Sequence, residues 1–172
     1  MWRRETAAAT KPVSLSEAKA QCRIEEDDTD SDLLLAGLIA AATDAVEQMV
    51  GFVLGEETWM RAWVGVGAGG MAVPLYPVKS LVSVTRGPDE LTGFALVGDD
   101  GHASITGPWP ADLVTVRVTV GGFVPPAVKH AILLLIAQWY DNREAISENP
   151  MREVPFSVES LVGLYRRGWA AS

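Results

Sequence analysis

At 172 residues and 18.4 kDa the chain has the size of one domain, or of one compact core carrying an insertion, which excludes two large independent domains. Its residues are 48% hydrophobic and 21% charged, with mean hydropathy +0.15, enough apolar side chain to offset the ordering entropy of a folded core. Against 22 Asp and Glu it has only 14 Lys and Arg, and the formal charge of −8 repels phosphate backbones and excludes a general nucleic-acid binder.

The first ten residues, MWRRETAAAT, lack the continuous apolar segment of a signal peptide, so export by that route is not expected. A first helix is predicted to open at Ser14-Leu15-Ser16-Glu17, where Ser at the cap and Glu three residues on satisfy each other's backbone N–H groups. The single Cys22 lies in this helical stretch and cannot form an internal disulfide. It reads as a small packed hydrophobe in a protein made in a reducing cytoplasm.

A longer helix is predicted from about Thr29–Ser31, because Leu35, Leu38, Ile39, Ala42, Val46, Met49 and Val50 recur at helical spacing, and Gly51 is its expected stop. Before it, Glu25, Glu26, Asp27, Asp28, Asp30 and Asp32 stand where the positive end of the helix dipole favours carboxylates. From Glu57 to about Gly122 the period changes to that of strands. Val114, Val116, Val118 and Val120 alternate with Thr115, Arg117 and Thr119, as in a strand with one buried face. Weaker strand patterns cover Thr58–Val64, Ser80–Arg86, Phe94–Val97 and Ala103–Ile105, separated by Gly, Pro and Asp. Together they predict a small antiparallel sheet or barrel.

After Pro125-Pro126 a third helix is expected, with Val128, Ala131, Ile132, Leu135, Ile136 and Trp139 on one stripe and Leu133 and Leu134 widening it. Its longest apolar run, Ala131–Ala137, is far short of the ~20 residues that cross a bilayer, and no membrane span is expected. A fourth short helix follows Pro155, with Val158, Leu161, Leu164 and Tyr165 read as its packed side. The fold class is therefore α+β: a helical core from the N- and C-terminal helices (about 14–51 and 126–166), a β-rich insertion (about 57–122) and a tail (166–172), taken together as one domain over 1–172.

Few patterns here carry chemistry. Asp28-Thr29-Asp30-Ser31-Asp32 resembles the opening of a calcium loop, but the sixth and twelfth places, which need Gly and Glu, hold Leu33 and Ile39. A solvated approach to the helix is the better reading. Gly65-Val66-Gly67-Ala68-Gly69-Gly70 has the spacing of a dinucleotide fingerprint, yet Pro74 and Pro77 follow where that motif needs a helix. A flexible hairpin connection is preferred, and a small nucleotide-binding enzyme using this loop is the alternative function. A nucleophile would need His102 or His130 as its base, and neither lies in a motif. Cys and His are too few to build a metal site.

Trp139, Tyr140, Asp141, Asn142, Arg143 and Glu144 allow two readings: a core Trp beside an exposed helix terminus, or an interface anchored by Trp139, Tyr140 and Arg143. Trp169 beside Arg166 and Arg167 favours docking to a partner, because an exposed Trp in a basic tail calls for a cover. A cytosolic protein-binding module is accordingly a further alternative.

In order, Ser14–Lys19 with its Asp-rich lead into a long helix, Val73–Leu81 before a Val-rich strand, Gly122–Ile132 running on to Trp139–Glu144, and Val154-Pro155 with Leu161–Arg166 resemble the head-tail connector, or adaptor, proteins of tailed bacteriophages and phage-derived gene transfer particles. The resemblance implies a non-enzymatic virion component without cofactor or metal. It implies a homo-oligomeric ring under the portal protein, typically of twelve copies, that extends the DNA channel and meets a stopper or tail-completion protein. It also places Arg166, Arg167 and Trp169 at the portal contact, lets DNA pass without specific binding and involves no membrane. Assembly would take place in the host cytoplasm and the final position would be the particle neck. The net negative charge suits such a channel, since phosphate contacts would retard DNA.

Overall fold

Ser14 begins α1 (Leu15–Cys22) through a reciprocal cap: its Oγ accepts from the Glu17 N–H at 3.2 Å, and the Glu17 carboxylate accepts from the Ser14 N–H at 2.9 Å. The computed structural model of the chain describes residues 1–6, 11–64, 70–98, 102–142 and 155–166. Helix α2 (Asp32–Val50) buries Leu35, Ile39, Ala42, Val46 and Val50 and ends at Gly51, which takes the left-handed cap with φ 75°. Helix α3 (Pro126–Asp141) places a proline in its first turn, where no N–H is needed, and buries Val128, Ala131, Ile132, Leu135 and Ile136. Its wide apolar surface is used: α3 packs against α1, α2 and the short α4 (Phe156–Gly163). By length and composition α2 could cross a bilayer, yet its buried residues recur along one stripe, and it packs against α1, α3 and α4.

The packed side of α4 differs from the expected one. Val158 and Val162 are buried, whereas Leu164 is 92% exposed and lies past the helix end. Eight residues make about two turns, too few for periodicity to separate a 158/162 stripe from a 158/161/164 stripe.

The helices and their connections, Lys11–Gly51 and Val124–Ser172, form one compact unit, and Met1–Thr10 with Phe52–Phe123 form a second. The second unit contains β1 (Arg3–Thr6), β2 (Glu57–Val64), β3 (Met71–Ala72), β4 (Val78–Arg86), β5 (Asp89–Leu91), β6 (Ala95–Val97), β7 (Ser104–Thr106) and β8 (Leu113–Val120). They make two antiparallel sheets, ordered β1-β2-β8-β4-β5 and β3-β7-β6, in place of a single sheet or barrel.

Strand β8 is central and alternates as its sequence predicts, with Val114, Val116, Val118 and Val120 buried. Opposite residues share a face, so Trp59, paired with Val118, and Trp63, paired with Val114, join this core, as do Leu81 and Val84 of β4. Phe94 and Trp109 extend it, with ring centroids 4.7 Å apart. The opposite face carries Thr58, Thr85, Thr115 and Thr119. There Arg117 donates through Nε to both Glu5 carboxylate oxygens, at 2.9 and 3.1 Å. That contact and the Arg4–Glu57 pair at 3.1 Å fasten the N-terminal strand β1, which has no hydrophobic alternation of its own.

Candidate assembly surfaces

The residues with assembly potential lie at the ends of the helices. At the end of α3, Tyr140 Oη and Ser31 Oγ are 3.2 Å apart, so this half-buried Tyr fixes α3 to the start of α2. Trp139 is half-buried beside it, and Arg143 lies outside the described residues. The end of α3 also reaches α1: burial raises the Cys22 thiol pKa, and the nearby Asp141 carboxylate adds to the rise. Arg166 is exposed just beyond α4, while Arg167 and Trp169 lie outside the described residues. Of the six residues expected to make contacts, the structure thus brings Trp139 and Tyr140 to one corner and leaves Arg166 in solvent.

Charge organises the packing of α1 against α2 and α3. Lys129 of α3 is 2.5 Å from Glu17, and its hydrogen bond is the main reason the Glu17 carboxyl lies below the usual range, with the Ser14 backbone N–H contributing next. Lys19 is 3% exposed on the inner side of α1 and donates to Glu26 O at 3.0 Å while sitting 2.7 Å from Asp32 Oδ1. The bond to Asp32 raises the Lys19 pKa above its ordinary value, outweighing desolvation. This role left no mark in the pattern, because a Lys one residue after the buried Ala18 breaks no periodicity in so short a helix.

Large apolar side chains also stand in solvent. Leu33 at the start of α2 is 87% exposed and Leu34 41%, and Phe156 at the start of α4 is 85% exposed. Leu33 was detectable in the sequence, since it is out of phase with the 35/39/42/46 stripe.

No catalytic constellation accompanies these surfaces among the described residues. His102 and His130 are both exposed and lie on different units. No group of three or more His, Cys, Asp or Glu among the described residues could hold a metal ion. Residues 65–69 of the glycine-rich loop lie outside the described residues, but the next element is β3, whereas a dinucleotide fingerprint requires a helix there.

Residues 12–85 match the phage gp6-like head-tail connector family. This bears out the resemblance read in the sequence. The connector match runs through α1, α2, β2 and β3 and almost to the end of β4, so it includes Ser14–Lys19, the acidic lead into α2 and Val73–Leu81. The segments Gly122–Glu144 and Leu161–Arg166 lie beyond it.

The fold extends further. A chain of the neck of an empty GTA particle, computed with C6 symmetry, superposes with a TM-score of 0.74 at 21% identity, over 98% of this chain and 96% of that one. Chains of a native gene transfer agent virion and of the neck of a native GTA particle computed with C12 symmetry each give 0.70 at 19% identity, with the same coverage. The mixed helical and antiparallel-sheet architecture is therefore shared along nearly the whole length. No curated protein sequence matches the chain.

Proposed function

We propose that this chain is a structural head-tail connector subunit in the neck of a tailed phage or phage-like gene transfer particle. Copies of it, twelve in this reading, close a ring beneath the portal protein, extend the channel through which DNA passes and present the far side to a stopper or tail-completion protein. The observation that carries the reading is the end-to-end fold match to neck chains, joined to the connector-family match over residues 12–85. The chain acts by assembly and transforms no substrate.

The charge distribution fits a passive channel wall. The helical unit has 8 Lys and Arg against 14 Asp and Glu, so it repels a passing phosphate backbone. In this reading the basic tail starting at Arg166, with Arg167 and Trp169, docks on the portal, and Trp139, Tyr140 and Arg143 lie at the subunit interface. Assembly takes place in the bacterial cytoplasm, before the ring is fixed in the neck.

The test is to mix the purified chain with the portal protein and image the product by electron microscopy. Rings seated on the portal are expected, and removal of residues 166–172 is expected to weaken docking while leaving the fold intact. Absence of any association between chain and portal across salt and pH, or turnover of a substrate by the purified chain, would overturn the reading. Undiminished docking by the shortened chain would remove the tail's role alone.

A further inference from the structure

The first half of helix α2 is apolar after Asp32, yet only five of the helix's 19 residues are buried within the chain. With Leu35, Ile39, Ala42 and Val46 turned inward, the advance of about 100° per residue puts Leu33, Gly37 and Ala40 on the opposite side. All three are exposed, and a Cβ added at Gly37 would meet nothing within 4 Å. The helix has no charged side chain from Leu33 to Thr43. Just before it, Glu25, Asp27, Asp28 and Asp30 stand in solvent.

Helix α4 has a complementary surface. Val158 and Val162 face inward, so Phe156, Ser160 and Gly163 turn outward, and Leu164 follows at the helix end in solvent. Arg166 comes two residues later and is also exposed. One surface is thus apolar with carboxylates at its margin, and the other is apolar with a guanidinium at its margin. An anionic lipid surface does not suit the first, because its acidic margin would be repelled.

We propose that these surfaces are the two halves of one contact between copies, with Phe156 and Leu164 of one chain seated on the Leu33–Ala40 face of α2 in the next and Arg166 beside its acidic margin. The two halves differ, so the contact is head-to-tail and each chain offers one half to either neighbour, the arrangement that can close into a ring. The inference rests on the ring reading above and identifies the faces that build it. Arg166, given to the portal contact in the ring reading, then stands where the contact between copies and the portal contact meet.

The test uses full-length chains in a Cys22→Ser background, one carrying Leu33→Cys and another Leu164→Cys. They are mixed with portal protein and treated with a bismaleimide of about 10 Å reach, the spacing of packed helices. Leu33→Cys mixed with Val97→Cys is the control, since Val97 is half exposed on the sheet unit. Cross-linking of 33 to 164 is expected to run at least about tenfold faster than 33 to 97, because assembly holds the first pair at a high effective concentration. In parallel, Leu33→Asp and Leu164→Asp chains are each expected to fail to form rings, and their equimolar mixture to stop at a heterodimer joined through the intact halves. Rings that form while 33 and 164 cross-link no faster than the control would overturn this contact and leave the ring reading intact. Failure of the wild-type chain to form rings with portal would overturn the ring reading itself.

Discussion

Replacing Gly121 by Ala tests whether close backbone packing at the end of β8 holds the sheet unit together. Gly121 has φ 85°, a region that costs an L-residue about 1–2 kcal/mol. Its added Cβ would collide with the Gly55 carbonyl oxygen and lie 2.7 Å from the carbonyl carbon. Relieving that overlap moves backbone, a change comparable to overpacking at about 1–3 kcal/mol. It also strains two bonds made there, Gly121 N–H to Pro77 O at 2.8 Å and Gly122 N–H to Leu54 O at 2.9 Å. Less the roughly 0.5–1 kcal/mol by which Ala stiffens the unfolded chain, a net loss of about 3 kcal/mol is expected, a large share of the ~5–15 kcal/mol that keeps a domain folded. Gly87→Ala is the control, because φ is 58° there and an added Cβ meets nothing within 4 Å. It is expected to cost about 1 kcal/mol, the backbone contribution alone. Urea unfolding followed by fluorescence reads the loss, since four of the six Trp, Trp2, Trp59, Trp63 and Trp109, lie in this unit and Trp139 and Trp169 in the other. Equal losses for the two variants would refute the steric reasoning.

Ser14→Ala is expected to lose about 1 kcal/mol in the same assay by removing the reciprocal cap of α1. The Glu17 contribution is complete above the ordinary carboxyl value of 4.5 and disappears as pH falls through its lower folded value, so Glu17→Gln is expected to flatten the acid side of the stability profile. Tyr140→Phe and Ser31→Ala are each expected to cost about 1 kcal/mol, and the double variant less than the sum, as two ends of one hydrogen bond. The raised Cys22 pKa predicts slower reaction with a thiol reagent at pH 8 in the folded chain than in urea.

Local signals were legible in the sequence wherever they were long or self-completing. Ser14 and Glu17 specify the start of α1 with their own side chains, the 35/39/42/46 spacing specifies the inner face of α2, and four alternating valines specify β8. Strand β1 was not legible, because Arg3–Thr6 is held by Glu57 and Arg117, more than fifty residues away. Strands β3 and β5 have two and three residues and cannot show a period. Dispersed Gly and Pro marked the ends of strands, but not that they divide into two sheets. Family resemblance pointed to assembly, while the exposed Phe156 and Leu164 emerged only when the buried side of α4 was known.

In the acidic approach to α2 a buried ammonium organises the charge. Ser16 donates to Glu26 Oε2 at 3.1 Å, Asp28 Oδ1 accepts from the Asp30 N–H at 2.9 Å, and buried Lys19 pairs with Asp32 and bonds the Glu26 carbonyl. The ammonium therefore supplies, from inside the helical unit, the positive charge that a calcium loop would draw from solution. Lys19→Met is expected to leave Asp32 unpaired and to lower the melting temperature at neutral pH. Because the folded pKa of Lys19 is raised, its contribution is complete below the ordinary value of 10.5 and is lost only as pH rises through the higher folded value. Wild type is thus expected to lose stability in that alkaline range, and Lys19→Met to lack that loss. Millimolar calcium is expected to move the wild-type melting temperature by less than about 1 °C, since an ion that does not bind the folded chain cannot stabilise it. A rise of several degrees with calcium, or a Lys19→Met chain as stable as wild type at pH 7, would refute the assignment of Lys19 as the resident cation.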